Sequence, residues 1–411
     1  MNKKNKTVWY ISKYANIQKY GADTRHSSFC KEFTKNNINV RLITSNSSHL
    51  YEKLPRGFNF FLNESYNGFH VTWLNVIKYK NSKSFIRFFS WLHFEFVVLL
   101  FAVLNRREKP QVIIVSSLSL FSVISGVILK KVFDAKLVFE VRDIWPQSLI
   151  EIQNLSSYHP VVILLRSIEK LGYHYSDEIV GTMSDLNKHV AIVLGRNKNV
   201  NYIPHGVDLD FYYNDQKIVD LQYLKLYIPE NKFIVMYAGS FNSAYKLENL
   251  INCADSIGED FAFLFIGDGP EKESLKENYK DYSNVHFLPK VPKNELQSIL
   301  KCSDVLVHSF QRKNVFKYGV SPNKFIDYMF SEKPIVCLGD VVCPILSLSG
   351  AGEIINYGDY NTFKNRLLSL RSMTEAQRRN IGILGKEYII KNLNYKILSE
   401  KYIRLFGFIE D

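Results

Sequence analysis

Short apolar runs alternate with longer segments of helical periodicity along almost the whole chain. The runs are nearly continuous in hydrophobicity, which is typical of strands covered by helices on both faces. Strands that alternate with helices in this way indicate parallel α/β sheets. The predicted strands are 8–11, 40–44, 70–74, 112–115, 137–141 and 178–181 in the first half, and 233–238, 262–266, 285–288, 305–307 and 335–337 in the second.

The alternation is interrupted near Pro204 and Gly206, before a second strand-first unit begins. A chain of 411 residues is also too long for one hydrophobic core. We therefore predict an α/β fold with two doubly wound, parallel-sheet domains, residues 1–205 and 206–390. Residues 391–411 are expected to form a C-terminal helix that packs back toward the first domain. In such folds ligands bind at the carboxyl ends of the strands, here in a cleft between the two domains.

Residues 83–104 form the most apolar segment of the chain. Its uninterrupted part, 96–104, is too short to span a hydrocarbon core of ~30 Å. Two interpretations remain open: a largely buried helix, which the pattern favours, and an amphipathic helix in the membrane interface. The second would use the aromatic residues Phe85, Phe88, Phe89 and Trp91, next to the basic residues Arg106, Arg107 and Lys109.

The composition, with 46% hydrophobic and 22% charged residues, is that of a globular protein. The five cysteines are odd in number and form no C-x-x-C pair. This argues against a disulfide framework or a zinc site and favours a reducing compartment. The N-terminal residues contain no signal-peptide core, so we expect a cytoplasmic location.

The net charge of +12 is distributed unevenly. Residues 1–205 carry 27 Lys and Arg against 14 Asp and Glu, whereas residues 206–411 carry 25 against 26. A basic half joined to a neutral half indicates that one domain faces an anionic partner. Charge alone does not separate an anionic membrane surface or a lipid diphosphate from nucleic acid, but the chain has no recognisable nucleic-acid motif.

The sequence YGVSPNKFID predicts a phosphate-binding helix start. Ser321 is expected as the N-cap and Pro322 as the first helical residue. The free amides of Asn323 and Lys324 would then point out of the helix end, where the macrodipole favours an anion. Asp327 adds acceptors suited to a vicinal diol such as a ribose. The combination suggests a nucleotide diphosphate, and the alternative is an ordinary capped helix.

Two other loops in the second half join a predicted strand to a predicted helix. The first runs from Gly239 to Lys246, where a glycine allows close backbone approach and a lysine neutralises a departing phosphate. The second contains Gly267 and Gly269. Each alone is weak evidence, since a loop with a solvated lysine and a tight turn are the better explanations when each is taken by itself.

In the first half, Arg142 and Asp143 follow a buried strand, where side chains of a ligand cleft are expected. The alternative is a local ion pair, but nothing in a strand-end turn requires Arg-Asp followed by Trp-Pro. The first strand-to-helix loop contains Gly21, and Arg25 and His26 lie in the first helical turn after it. Structural and functional roles are equally supported for these three residues.

Metal chemistry has little support in the sequence. The D-x-D pair Asp208 and Asp210 lies at the domain boundary and is interpreted as structural. No H-E-x-x-H, Walker, G-x-S-x-G or zinc motif is present. The isolated histidines are interpreted as ordinary core or loop residues: His189, His205, His286 and His308.

Taken in order, these motifs resemble the retaining glycosyltransferases of family 4, which have the GT-B fold. The resemblance covers nearly the whole chain. The sequence motifs RDIWP and SPNK are most similar to those of bacterial O-antigen and capsule enzymes that transfer N-acetylated amino sugars, the N-acetylfucosamine transferases among them. The pieces that carry it are the Gly21 loop, EVRDIWP, IPHGVD, YAGS, IGDGPE and GVSPNKFIDYM.

The resemblance implies a role for each site residue. Arg142, Asp143 and Lys246 would act at the reacting sugar and the diphosphate, and Arg25 and His26 would lie on the acceptor side. Val291 and the two glycines of IGDGP would border the uracil, and Asp327 would bind the ribose. The implied donor-binding residues are Gly21, Gly239, Ser240, Gly267, Gly269, Val291, Ser321, Pro322, Asn323, Lys324 and Asp327.

The chain also departs from the wider family pattern. Ser240 stands where an arginine commonly partners the diphosphate lysine, so the leaving group would depend on Lys246, Lys324 and the helix end. Gly319 and Asp327 stand in place of a spaced pair of glutamates, which puts a double carboxylate contact with the sugar in doubt. Arg142 stands where many relatives carry a histidine. The amino-sugar group shares these changes.

The resemblance implies a metal-independent, retaining transfer from a UDP-sugar, an N-acetylated hexosamine or its deoxy form. The acceptor would be a polyprenyl-diphosphate-linked saccharide of bacterial surface polysaccharide synthesis, at the inner face of the cell membrane. No other cofactor is implied, and domain closure at a hinge near residues 204–207 is expected. Two alternatives remain open: a UDP-sugar 2-epimerase of the same architecture, and a non-catalytic assembly protein that kept the fold. The sugar, the linkage and the oligomeric state are not determined.

Overall fold

The computed structural model describes residues 6–408, apart from residues 22, 49–50, 52, 80–84 and 118 and the side chain of Asp255. The chain divides into two compact units: unit 1 comprises Met1–Pro204 and Tyr395–Asp411, and unit 2 comprises His205–Asn394. The predicted boundary at 205/206 differs from the observed one by a single residue. The first two residues of the apolar segment 83–104 lie outside the described residues.

Unit 1 contains an eight-stranded sheet in the order β3-β4-β2-β1-β5-β6-β7-β8. Its strands are β1 (Thr7–Ile11), β2 (Asn39–Ser45), β3 (Phe61–Tyr66), β4 (Phe69–Leu74), β5 (Val112–Ser116), β6 (Lys136–Val141), β7 (Glu178–Gly181) and β8 (Asn201–Tyr202). Strands β1, β2, β5 and β6 are almost entirely buried, as expected for strands covered on both faces.

The edge strand β3 corrects the prediction of a wholly parallel sheet, because it runs antiparallel to β4. It was missed because its residues alternate between half-buried and exposed and form no continuous apolar run. A hairpin signal is nevertheless present. Asn67 and Gly68 join the two strands with φ values of 48° and 86°, and Asn-Gly is a preferred pair for a two-residue hairpin turn.

Among the described residues before Pro204, six helices connect these strands. They are α1 (Arg25–Lys35), α2 (Ile86–Leu104), α3 (Ser122–Phe133), α4 (Gln147–Glu151), α5 (Pro160–Tyr175) and α6 (Leu186–Leu194). Helix α2 packs against α3, and α3 packs against α5. Helix α2 also contacts β4, so it lies on the sheet.

Unit 2 contains a six-stranded, fully parallel sheet in the order β11-β10-β9-β12-β13-β14. Its strands are β9 (Phe233–Ser240), β10 (Phe261–Asp268), β11 (Val285–Leu288), β12 (Val305–Ser309), β13 (Ile335–Leu338) and β14 (Gly352–Ile355). The edge strand β14 was not predicted, since three of its four residues are only half-buried.

The helices of unit 2 are α7 (Leu209–Asn214), α8 (Leu221–Tyr227), α9 (Glu248–Ile257), α10 (Lys272–Asn278), α11 (Leu296–Leu300), α12 (Asn323–Phe330), α13 (Pro344–Ser347), α14 (Tyr360–Ser372) and α15 (Glu375–Asn392). A core of apolar side chains from the sheet, α9 and α14 holds them together, with Tyr237, Phe263 and Phe363 fully buried at its centre.

The last helix, α16 (Tyr395–Phe406), is part of unit 1. The rings of Tyr402 and Phe406 pack edge-on against Phe29 and Phe33 of α1. The predicted C-terminal segment began at residue 391, inside α15, because helical periodicity alone does not show where one helix ends and the next begins.

Each sheet has one point where the strand order reverses. In unit 1 this point lies between β1 and β5, and in unit 2 it lies between β9 and β12. Open α/β sheets bind ligands at the carboxyl ends of the strands beside such a switch point. The two positions define where a site is sought in each unit.

Candidate active site

At the switch point of unit 2, β9 and β10 end side by side in register. Gly239 pairs with Gly267, and Ser240 pairs with Asp268. A Cβ atom on Gly267 would lie 1.8 Å from the carbonyl oxygen of Gly239, and Gly267 also has a φ of 140°. Glycine is therefore required here by the approach of the two strand ends. That requirement is independent of any ligand.

The loop that contains Gly269 is tight for the same reason. Gly269 has a φ of 154°, and a Cβ there would meet the backbone of Phe241. The loop after β11 lies beside it, since Lys290 forms an ion pair with Asp268 at 3.5 Å. Val291 is half-buried in this second loop. The two segments expected to border a uracil are thus neighbours.

Helix α12 begins one residue later than predicted. Asn323 is its first residue, and Pro322 occupies the cap position with extended backbone angles. The hydroxyl of Ser321 accepts a hydrogen bond from the amide of His205 at 3.0 Å, so it is not the N-cap. The predicted capping was wrong, although the helix start remains beside β9.

Lys324 lies in the first turn of α12 and reaches the end of β9. Its ammonium donates to the Tyr237 hydroxyl at 2.9 Å and lies 3.7 Å from the centroid of the Tyr245 ring. A Cβ on Gly239 would lie 2.7 Å from Lys324 Nζ, so the absence of a side chain at Gly239 makes room for the ammonium. Burial lowers the pKa of Lys324 from 10.5 to about 7.

His308, at the end of β12, lies against the same aromatic rings and was not a candidate from sequence. Its ring is stacked on Tyr237 at 5.8 Å and is fully buried. Both of its ring nitrogens lack a hydrogen-bond partner among the described residues. Burial, followed by the charge of Lys324, holds the pKa of His308 well below its usual value, so the ring is neutral. An isolated histidine gives no sequence signal of this kind.

Lys246, between β9 and α9, is exposed and has a φ of 43°. None of the ion pairs described for residues 6–408 includes it. Two acidic residues, Glu248 and Glu271, lie near Lys246. Burial and the charge of Glu248 raise the pKa of Glu271, and the charge of Lys246 opposes that rise. Lys246 is therefore a cation available at the same strand end as Gly239.

Asp327 does not present a free pair of acceptors. It is 4% exposed, and its Oδ1 accepts hydrogen bonds from the Tyr212 hydroxyl and the Lys293 ammonium. The buried Asp327 carboxylate is thus paired with the half-exposed Lys293, and a ribose that binds Oδ1 would compete with these partners. Sequence position on the helix could not reveal the competition from Lys293.

In unit 1, Arg142 and Asp143 follow β6. The Arg142 guanidinium lies 3.4 Å from His26 Nε2, and its buried Nε has no hydrogen-bond partner among the described residues. The Asp143 carboxylate accepts from the Trp145 indole at 2.9 Å and from the Ser148 hydroxyl at 2.5 Å. Asp143 therefore also stabilises the turn into α4.

Arg25 and His26, which the resemblance places on the acceptor side, are both buried in unit 1. Arg25 donates from Nε to Glu140 at 2.8 Å and from Nη2 to the carbonyl of Ile203 at 2.7 Å. His26 is fully buried and lies 3.1 Å from the Ser116 hydroxyl. Burial and the Arg142 charge lower the pKa of His26 to about 3. The first turn of α1 faces the sheet, which a loop pattern does not show.

Glu140 is the centre of this buried network and was not predicted. Besides Arg25, it accepts hydrogen bonds from Tyr10 at 2.8 Å, Ser116 at 2.8 Å and Tyr402 at 2.6 Å. Burial alone would raise its pKa, but Arg25, Arg142 and the Tyr402 hydroxyl hold that pKa below its usual value. The network fixes α1, β1, β6 and α16 together.

Two further residues lie near the unit 1 switch point. Gly21 closes a short turn with a φ of 131°, a conformation that favours glycine. Lys13, two residues after β1, is 1% exposed and donates to the Ser90 hydroxyl at 3.0 Å. Burial lowers its pKa from 10.5 to about 7. A lysine directly after a central strand was the signal that could have identified it.

The remaining predictions concern metals and cavities. Asp208 caps α7 by accepting from the amides of Asp210 and Phe211, which confirms its structural interpretation. Within the described part of the chain, no group of three or more His, Cys, Asp or Glu side chains could hold a metal ion. A cavity of about 560 Å³ lies between α8, α10 and β11, and its lining includes none of the candidate site residues.

The chain is similar to known glycosyl transferases. Residues 232–372 match the family model described as glycosyl transferases group 1. A putative colanic acid biosynthesis glycosyl transferase, WcaI of Escherichia coli K12, is 27% identical over 232 residues, which cover 55% of this chain. The matched region spans only 56% of that relative. The family match and this relative indicate that the chain is a transferase.

Several solved structures share the fold over nearly the full length. A sucrose-phosphate synthase from Thermosynechococcus elongatus has a TM-score of 0.71, 14% identity and 98% coverage of both chains. An E. coli trehalose-6-phosphate structure with bound UDP-2-fluoro glucose has a TM-score of 0.73, 10% identity and coverage of 98% and 99%. HepE of Anabaena in complex with UDP-glucose has a TM-score of 0.65, 11% identity and coverage of 98% and 100%. The predicted GT-B fold is confirmed.

Proposed function

We propose that this chain transfers a sugar from a UDP-sugar to a lipid-linked saccharide during bacterial surface polysaccharide synthesis. The observation that carries the proposal is the convergence, at the switch point of unit 2, of Gly239, Lys246, Lys324 and the start of α12. Cations and a helix N-terminus at the end of a parallel sheet suit a diphosphate. The UDP-glucose seen with HepE, a protein of the same fold, supports uridine as the nucleoside.

In the proposed reaction, the bond between the anomeric carbon and the UDP oxygen breaks and an acceptor hydroxyl oxygen bonds to the same carbon. The proton of that hydroxyl leaves with UDP, and negative charge accumulates on the diphosphate as the bond breaks. Lys246, Lys324 and the first amides of α12 would stabilise that charge. No metal is proposed, because the Asp208 carboxylate caps α7 by accepting from the amides of Asp210 and Phe211. The family resemblance adds four points to the proposal. The transfer retains the anomeric configuration, and the donor carries an N-acetylated amino sugar. The acceptor is linked to a polyprenyl diphosphate, and the protein acts at the inner face of the membrane.

The first test is calorimetric titration of UDP into the protein without metal. Lys324→Met is expected to weaken binding at least tenfold, since it removes the cation nearest the helix start. Lys280→Met is the matched control, because Lys280 lies in unit 2 and pairs only with the neighbouring Glu277 among the described ion pairs. Absence of UDP binding, or equal binding by both variants, would overturn the nucleotide assignment.

The same protein then distinguishes the alternatives. A transferase hydrolyses or transfers the sugar of one UDP-sugar in a panel, and nuclear magnetic resonance of the product shows its anomeric configuration. A 2-epimerase would convert the donor without an acceptor, and a non-catalytic assembly protein would leave every donor unchanged. The residues available to an epimerase are few, since His26 is buried and neutral.

A further inference from the structure

Helix α2 is apolar on both its inner and its outer face. Phe94, Val98 and Phe101 are fully buried on the inner side. The outer side exposes a stripe at helical spacing: Phe89 is 48%, Leu92 42% and Phe96 64% exposed. By length and composition α2 could cross a membrane, yet 44% of its apolar window is buried. Its inner face already packs on unit 1, so only the outer face is available to a partner.

The neighbouring helices continue this outer surface. Helix α3, which packs against α2, exposes Ile124, Ile128 and Val132, and helix α5, which packs against α3, exposes Ile163 and Leu164. We call the exposed apolar residues of α2, α3 and α5 the three-helix face. Exposed apolar residues scattered singly need no explanation, whereas a surface shared by adjacent helices marks an interaction site.

The charges on these helices are one-sided. Their only acids, Glu95 and Glu169, are buried: Glu95 accepts from Ser122 and Ser125, and Glu169 lies 2.7 Å from His189. The exposed charged residues of the three helices are all basic. They are Lys131 of α3 and Arg166 and Lys170 of α5.

We propose that the three-helix face docks on an anionic lipid bilayer, with α2 lying in the plane of the interface and still packed on unit 1. Large apolar and aromatic side chains would enter the headgroup region, and Lys131, Arg166 and Lys170 would contact anionic headgroups. This docking surface adds to the proposed function the part of the protein that contacts the membrane. The inference rests on the proposed function only in assuming a lipid-linked acceptor.

A second copy of the chain suits this face less well. A twofold interface places the same surface of both copies together, which would oppose the basic residues of α3 and α5 to one another. A bilayer that contains anionic lipid offers the opposite charge and an apolar interior together. Charge complementarity therefore favours the bilayer.

The test is co-sedimentation with vesicles of phosphatidylcholine alone or mixed with phosphatidylglycerol. The triple variant Phe89→Ser, Leu92→Ser and Phe96→Ser should lower partitioning at least tenfold, since burial of each large apolar side chain contributes more than 1 kcal/mol, about a factor of five or more. Ile192→Ser with Leu348→Ser is the matched control, because these exposed apolar residues lie elsewhere. Lys131→Gln with Lys170→Gln should weaken binding to the anionic vesicles only.

Two further measurements keep the outcome clear. Brominated lipids quench the fluorescence of tryptophans that enter the bilayer. They should quench the Phe96→Trp variant more strongly than the parent protein, which reports insertion even if the triple variant fails to fold. UDP titration of the same variants should be unchanged, so that loss of membrane binding is distinguished from failure of the nucleotide site. Equal vesicle binding by parent and triple variant, no binding by the parent, or a lipid-free dimer that the triple variant abolishes would each overturn the proposal.

Discussion

Lys324 is a cation whose charge depends on its surroundings. In the free protein, burial between Tyr237 and Tyr245 lowers its pKa to about 7, so the side chain is partly neutral near that pH. A bound diphosphate would favour the charged form and raise this pKa. Binding above pH 7 should then take up a proton, whereas below pH 6 the ammonium is already charged.

We therefore expect the affinity for UDP to fall as the pH rises above 7, by up to about tenfold per pH unit. Calorimetry in buffers of different ionisation enthalpy measures the proton uptake directly. Lys246→Met is the control: it should lower affinity but keep the pH dependence, because it leaves Lys324 in place. A flat affinity profile from pH 7 to pH 9 would contradict this role of Lys324.

Lys13 is a second buried lysine, and its burial has a consequence for stability. Its pKa is about 7 in the folded protein against 10.5 ordinarily, so folding disfavours its charged form. That cost is fully present below pH 7 and disappears as the pH rises toward 10.5. Burial also raises the pKa of the nearby Glu95 to about 7, so at pH 6 Glu95 is mostly protonated and compensates little.

Lys13→Met should therefore raise the free energy of unfolding at pH 6, by roughly 1–4 kcal/mol after loss of the Ser90 hydrogen bond. The gain should vanish near pH 10. Urea unfolding at both pH values measures it, and Lys19→Met, an exposed lysine in the following loop, should change stability by less than about 1 kcal/mol. A destabilised Lys13→Met protein at pH 6 would show that Lys13 packs favourably as a charged group.

At the scale of elements, the paired ends of β9 and β10 depend on glycine. Gly267→Ala would place a methyl group against the Gly239 carbonyl and hold an unfavourable φ of 140°. We expect a loss of roughly 2–5 kcal/mol in stability and loss of UDP binding. In Gly258→Ala, the φ is also positive but the space around the Cβ is open, so the loss should stay near 1–2 kcal/mol. Similar losses in the two variants would mean that the strand ends can move apart.

The central strands were predictable because they form continuous apolar runs, as in β5 and β12. The edge strands β3 and β14 were missed, since an edge is half-exposed and its pattern is weak. Cap positions were also misplaced, because Ser321 bonds to the distant amide of His205 and local propensity does not register such a partner. For these elements the tertiary structure overrides the local signal.

At the scale of the whole molecule, part of the candidate site could be predicted from the sequence and part could not. The resemblance placed Gly239 and Lys324 in the same donor site, and the structure shows that they are neighbours. The partners that occupy Asp327, Arg25 and His26 could not be predicted, because each lies far away in the sequence or in another element. Sequence motifs identify which strand ends carry chemistry, whereas burial decides which side chains remain available.

The chain leaves unit 1 at Pro204 and returns to it at Tyr395, so unit 1 is built from two separate segments of the sequence. Tyr402 of α16 donates to the buried Glu140 at 2.6 Å. Tyr402→Phe removes one hydrogen bond to a charged group, which should cost about 1.5–3 kcal/mol. Tyr213→Phe, which changes an exposed tyrosine of unit 2, should cost less than about 0.5 kcal/mol.

Removal of residues 395–411 should have a larger effect than Tyr402→Phe, because it also exposes the rings of Phe29 and Phe33 and leaves part of the α1 surface uncovered. Thermal unfolding followed by near-ultraviolet circular dichroism measures both changes. UDP affinity should stay unaltered in Tyr402→Phe, since the proposed nucleotide residues belong to unit 2. A stable truncated protein would show that α16 is dispensable for unit 1, and weakened UDP binding by Tyr402→Phe would place part of the donor site in unit 1.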